Sequence, residues 1–375
     1  LVYKGLKFVE YFYMQLKKFI PTLYFLLLCI NSSAVPSLSS NPQNPKKLRI
    51  LSIDGGGVRG IIPARILQAI EEETGKPIFE LFDLVIGNST GGLVALALLT
   101  PNEQGQAKYS AKDLVTFYKQ QSRTIFYSSW KHKLKTGWGL WGPKYNRRML
   151  DKALENIFCN IQLSQTLKPV LAISYSLDKI LPHVWTTHKA LHGIHKDYYL
   201  KDIAGATSAA PTYFAPKVLQ DELGNKLHEV DGGLWANNPE FTAILGIHGM
   251  HQSVSNEEVL LVSVGTSVCR PNKKLSIQEA IRLRNAGIIG WLLKAQPNLI
   301  EMMIGADSEW SETVISILYP HNYRLQVTIP HILSNMDNTK QLHQLEKIAE
   351  SYIKANSSFK AMCELLTELA SESAL

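Results

Sequence analysis

Apolar residues in this chain fall into short unbroken runs separated by glycine-rich punctuation, a pattern that predicts buried strands feeding helices. Leu48–Ile53 (LRILSI) is a short apolar run with β-branched members and reads as a buried strand. Ile61–Thr74 changes period: Ile62, Ile66, Leu67 and Ile70 share one helical face, Pro63 fits a first turn and Gly75 can cap the end. Phe82–Ile86 reads as a second buried strand and Gly92–Leu99 as a buried helix. Val218–Leu223 and Lys226–Val230, joined through Gly224-Asn225, read as a hairpin. Lys340–Ala370 reads as helical, with Leu342, Leu345, Ile348, Ala349, Tyr352 and Ile353 on the side that packs on the main domain.

The first residues break this pattern. Lys17-Lys18, the apolar run from Phe19 to Ile30 and Ser32-Ser33-Ala34 resemble a secretory signal peptide that opens at Met14 and is cleaved before Val35. A spanning anchor needs about 20 apolar residues, and this run is shorter. The expected organisation is an upstream extension over 1–13, a signal peptide over 14–34, a Ser-, Pro- and Asn-rich linker over 35–47 and a single catalytic domain over 48–375 with a helical C-terminal part. The expected location is therefore outside the producing cytoplasm, secreted or periplasmic, with membrane association open. Asn88-Ser89-Thr90 is formally a glycosylation sequon, and a glycan there would obstruct the serine discussed below. That favours export without N-glycosylation.

Composition narrows the class. With 375 residues, 45% hydrophobic and 19% charged, the chain is long and apolar enough for a sizeable core, which excludes wholesale disorder. The four cysteines, at 29, 159, 269 and 363, exclude a disulfide-held miniprotein and, lacking a CxxC, a zinc ribbon. The net charge of +7 is partly concentrated in Lys4, Lys7, Lys17 and Lys18. The mild excess elsewhere suits an anionic membrane surface, whereas nucleic-acid binding lacks a long Lys/Arg block.

The candidate chemistry sits in the punctuation. Asp54-Gly55-Gly56-Gly57-Val58-Arg59-Gly60 links a strand to a helix, so several backbone N–H groups gather where negative charge can develop. Gly55, Gly57 and Gly60 also satisfy the dinucleotide fingerprint, but the next strand ends in Gly87-Asn88-Ser89 instead of the acidic residue that fingerprint wants. A phosphate-binding P-loop lacks its Gly-Lys-Ser/Thr. Gly87-Asn88-Ser89-Thr90-Gly91 matches GxSxG between a strand and a helix, the setting in which Ser89 becomes an exposed nucleophile. A serine needs a base. His132, His183, His188, His192, His195, His248 and His251 sit in no recognisable motif, while Asp231-Gly232-Gly233 at the end of the hairpin offers an accessible carboxylate.

Taken in order, DGGGVRG, GNSTG and DGGLWANNP resemble the patatin-like phospholipase family of lipid acyl hydrolases, over about Lys46 to Ser267. The resemblance implies an α/β fold of three α/β/α layers around a mainly parallel sheet, and a Ser–Asp dyad without histidine. By motif, Ser89 becomes the nucleophile and Asp231 the base, with Gly55, Gly56 and Gly57 as the oxyanion loop. Arg59 becomes a support for the loop or for a phosphate group. The family typically carries threonine where this chain has Asn88, a position read as permissive. Phospholipid or galactolipid esters become the substrate, with a peripheral membrane surface as the partner and no metal or cofactor. A catalytically silent lipid-binding protein and an acyltransferase with an alcohol acceptor are the alternatives on the same fold. Partial burial is expected to raise the Asp231 pKa above the usual aspartate value near 3.9.

Trp130, Trp138 and Trp141 lie among glycines and lysines in Trp130–Lys144, a mixture that suits a lipid–water interface. Ile288-Ile289-Gly290-Trp291-Leu292-Leu293 is a second apolar cluster. Ordinary core packing is the competing reading for both, and Trp138 and Trp141 are expected at the lipid-facing mouth.

Overall fold

Every apolar strand at the centre of this protein feeds two cores. In the computed structural model, which describes residues 47–250, 254–269, 277–284, 286–287, 291 and 299–372, β1 (Leu48–Ile53) sends Leu51 and Ile53 to one face of the sheet and Ile50 to the other. β2 (Leu84–Asn88) does the same with Val85 against Leu84 and Ile86, and β3 (Val170–Ser176) with Val170 and Ala172 against Leu171 and Ile173. Successive side chains point to opposite faces, so a strand covered on both sides needs a continuous apolar run, as parallel strands do.

The remaining strands are β4 (Leu181–Thr186), β5 (Lys217–Gln220), β6 (Lys226–Asp231), β7 (Val259–Val264), β8 (Val268–Cys269), β9 (Asn322–Leu325) and β10 (Thr328–Ile329). The main sheet runs β5-β6-β3-β2-β1-β7-β9, with β4 also paired to β3. The pairs β3–β2, β2–β1, β1–β7 and β7–β9 are parallel, while β4, β5 and β6 join antiparallel. β8 and β10 form a separate parallel pair.

The helices include α1 (Ile61–Thr74), α2 (Thr90–Leu98), α3 (Ala111–Ile125), α4 (Trp130–Thr136), α5 (Arg147–Phe158), α6 (Leu200–Thr207), α7 (Glu240–Met250), α8 (Leu299–Leu318), α9 (Leu342–Ala355) and α10 (Ser357–Glu372). Helices α1, α2, α3, α5, α6, α9 and α10 bury their apolar stripes on one face; α7 and α8 cover the other through Ala243, Ile244, Ile247 and Ile315. This is a three-layer α/β/α arrangement around a mostly parallel mixed sheet.

Several expected boundaries shift. The second strand begins two residues late, at Leu84, and the elbow helix begins at Thr90. The first hairpin strand stops at Gln220, because the Asp221 carboxylate accepts hydrogen bonds from the Leu223 and Asn225 N–H groups and closes the turn early. The C-terminal helix is two: Asn356 leaves helical geometry and its side-chain oxygen caps the next helix by accepting from the Ser358 N–H at 3.1 Å. The extension, signal peptide and linker lie outside the described residues except for Lys47, and so does the Ile288–Leu293 cluster except for Trp291.

Candidate active site

Sheet register brings three loops to one level. Ile53 pairs with Gly87, Asn88 with Ile173 and Ser174 with Asp231, so the chain leaves β1, β2 and β6 at neighbouring points. The crevice beyond the carboxyl ends of parallel strands is where open α/β sheets collect their ligands.

Ser89 stands on the turn between β2 and α2 with φ 52° and ψ −122°, a conformation that costs a non-glycine residue about 1–3 kcal/mol. Two contacts hold it there. Its N–H donates to Thr207 Oγ1 at 2.8 Å, and its carbonyl accepts from the Leu93 N–H at 3.0 Å to start the helix. The turn is tight enough that a Cβ on Gly87 would lie 2.2 Å from the Gly91 carbonyl oxygen. Small residues at both ends of the motif are therefore a packing requirement.

Asp231 closes β6 and is only 5% exposed. Burial pushes its pKa up to about 6, while the neighbouring Ser89 hydroxyl and a hydrogen bond from the Gly233 N–H at 2.8 Å hold it from going higher. The serine and the carboxylate thus line the same cavity.

The glycine loop is pinned from both sides. The Gly55 N–H donates to the Asn237 carbonyl at 3.1 Å, and the Val58 N–H to the Met336 carbonyl at 2.8 Å. Gly55 therefore spends its donor on structure, and it is Gly56 and Gly57 that line the cavity beside Ser89. Gly57 has φ +60°, and a Cβ there would lie 2.2 Å from the Met336 carbonyl oxygen. Arg59 is buried and folds back on its own loop, with Nε 3.3 Å from the Gly56 carbonyl and Nη1 3.3 Å from Ser267 Oγ. Of the two supports considered for Arg59, this contact is the one to the loop.

Behind the loop lies a buried ionic cluster. Arg324 on β9 grips both oxygens of Asp54, at 2.9 and 2.6 Å, donates to Ser263 Oγ at 2.7 Å and lies 3.3 Å from Glu240 at the start of α7. Burial raises the pKa of Asp54 and of Glu240, opposed in both by Arg324. One guanidinium thereby ties the base of the glycine loop to the helix that follows the Asp231 turn.

Asn88 is less permissive than its position suggested. Its side chain is fully buried between the two loops: a Cβ on Gly55 would sit 2.6 Å from its Nδ2, and one on Gly232 2.7 Å from its Oδ1. Neither amide atom has a hydrogen-bond partner among the described residues.

These groups share a cavity of about 180 Å³ with walls that include Leu93, Phe117, Ile125, Phe214, Met303 and Met336. Ser89, Asp231, Gly56, Gly57 and Asn237 supply its polar rim. No histidine is among its lining residues. His132 instead lies against the Pro143 carbonyl, and His183 against Glu229. Sequence reasoning missed Arg324, Glu240, Met336 and Thr207. All four act through contacts distant in the chain, and Arg324 and Met336 lie beyond the stretch that carries the motifs.

A patatin-like phospholipase family model matches residues 51–244. Patatin-like protein 1 of Arabidopsis thaliana is 30% identical over 354 residues, covering 85% of this chain and 84% of that protein. Patatin-like protein 4 of the same plant is 32% identical over 262 residues, covering 64% of this chain and 65% of that protein. Among solved structures, human GIVD cytosolic phospholipase A2 aligns distantly, at 10% identity and a TM-score of 0.43, over 89% of this chain and 61% of that one. With a family model spanning more than half of its 375 residues and a relative aligned across most of it, this chain belongs to the patatin-like phospholipase family.

Proposed function

We propose that this protein is a lipid acyl hydrolase of the phospholipase A type, cleaving fatty-acyl esters of membrane lipids through a Ser89 acyl-enzyme. The observation that carries the reading is the meeting of a strained serine and a buried carboxylate on one apolar cavity. Asp231 takes the Ser89 proton as Oγ attacks the ester carbonyl. The Gly56 and Gly57 N–H groups stabilise the oxyanion, each such donor being worth about 2.7–4 kcal/mol. Collapse expels the alcohol, which leaves with the proton from Asp231. Water then gives its proton to Asp231 and attacks the acyl carbonyl. The fatty acid departs, and the proton returns to Ser89 Oγ. A carboxylate raised to about 6 is a stronger base than ordinary aspartate and is still ionised at neutral pH.

The test is fatty-acid release from mixed phospholipid vesicles by the parent, Ser89→Ala and Asp231→Asn. The parent is expected to release fatty acid, with kcat/KM falling about tenfold per pH unit below pH 6 and level above it. Both variants are expected to be silent. Release that survives Asp231→Asn would remove the dyad, and a parent inactive on every ester would favour a lipid-binding protein.

A further inference from the structure

Helix α4 and the turn after it fold inside out. His132 and Thr136 face the protein: His132 Nε2 lies 2.9 Å from the Pro143 carbonyl, and Thr136 is buried. At about 100° per residue, the opposite face carries Trp130 and Leu134, with Lys131 and Lys135 on one flank and Lys133 on the other. Trp130 is 66% and Leu134 54% exposed. The next turn repeats the pattern. Trp138 adopts φ 56° between two left-handed glycines, a conformation that a tryptophan takes only at a cost of about 1 kcal/mol, and its indole stays 68% exposed. Trp141 is 85% exposed. Ordinary core packing, the competing reading for these tryptophans, does not hold. Charge points the same way, since no Asp or Glu lies between Asp113 and Asp151.

We propose that Trp130–Lys144 is a peripheral docking surface for the anionic phospholipid face of a bilayer. Indole rings settle at the headgroup level, and lysines beside them gain about 1 kcal/mol each near an anionic surface. A cleft suited to a headgroup phosphate lies under Trp138. Its cavity of about 160 Å³ is lined by Lys133, Lys144 and Ser128, whose buried Oγ has no hydrogen-bond partner among the described residues. The Lys144 ammonium is also paired with Asp337, so a phosphate there would share it with that carboxylate. Phe126 lines both this cleft and the Ser89 cavity, so docking brings the mouth of that cavity to the lipid. The surface therefore deepens the hydrolase reading and, as a route for substrate, rests on it.

The test is sedimentation of the full chain carrying Ser89→Ala with vesicles of phosphatidylcholine alone and of phosphatidylcholine mixed with phosphatidylserine. The protein is expected to favour the mixed vesicles, with raised salt erasing the preference. Trp130→Ser/Trp138→Ser/Trp141→Ser is expected to lose roughly tenfold or more of its partition to both. Lys131→Glu/Lys133→Glu/Lys135→Glu, which keeps every indole, is expected to lose the preference for the mixed vesicles. Partition unchanged in both variants would overturn the proposal, as would variants that changed only self-association in velocity sedimentation, which would assign the face to a second copy of the chain. Hydrolysis of a soluble short-chain ester, measured with Ser89 intact, separates the two readings. Its absence in the parent while docking persists counts against the hydrolase alone. Its persistence beside unaltered partition in both variants counts against the docking surface alone.

Discussion

Asp231 shows what a single buried residue costs and supplies. Its folded pKa of about 6 lies above the unfolded aspartate value near 3.9, so ionisation is harder in the folded state. The folded state therefore carries a penalty that is complete above pH 6, shrinks as pH falls and vanishes below about 4, where both states are protonated. At neutral pH it amounts to about 3 kcal/mol. Asp231→Asn keeps an oxygen to accept from the Gly233 N–H and has no charge to bury. It is expected to be inactive yet about 3 kcal/mol more stable than the parent at pH 7, the gap closing near pH 4; denaturant titrations at the two pH values read this directly. Ser89 and Asp231 stood out in the sequence as candidates because each lies within a contiguous motif whose glycines announce a turn. Asn88 was not, because its importance comes from two glycines, Gly55 and Gly232, that approach it from other strands.

At the scale of elements, strands were the easiest features to read. An apolar run covered on both faces tolerates few polar substitutions, so β1 and its neighbours declare themselves. Ends were harder, because side-chain caps at Asp221 and Asn356 decide them against apolar periodicity. The least legible element was β9, a four-residue strand whose Arg324 joins the loop after β1 to the start of α7. Removing one partner from a buried ionic cluster leaves the others uncompensated. Arg324→Met is therefore expected to lower stability by about 3–5 kcal/mol in chemical denaturation. Arg324→Met with Asp54→Asn is expected to recover part of that loss, since one stranded carboxylate is then neutral. Recovery of stability without recovery of turnover would show that the guanidinium also holds the glycine loop in its working shape.

For the molecule as a whole, the three layers and the order of the motifs followed from the sequence and its family resemblance. The link between the glycine loop and the lysine-rich surface did not, because it uses two residues outside every motif. Met336 and Asp337 are neighbours in the chain with separate duties. The Met336 carbonyl accepts from the Val58 N–H in the glycine loop; the Asp337 carboxylate accepts from Tyr145 Oη at 2.7 Å and from the Lys144 ammonium at the docking surface. On the docking proposal, a bilayer phosphate that shares Lys144 with Asp337 acts on one end of a two-residue segment whose other end holds the glycine loop. Lipid charge is then expected to act on turnover as well as on occupancy. The rate per membrane-bound molecule is expected to change with phosphatidylserine content in the parent and to become insensitive to it in Asp337→Asn. Stopped-flow hydrolysis at saturating vesicle concentration separates that allosteric response from simple recruitment.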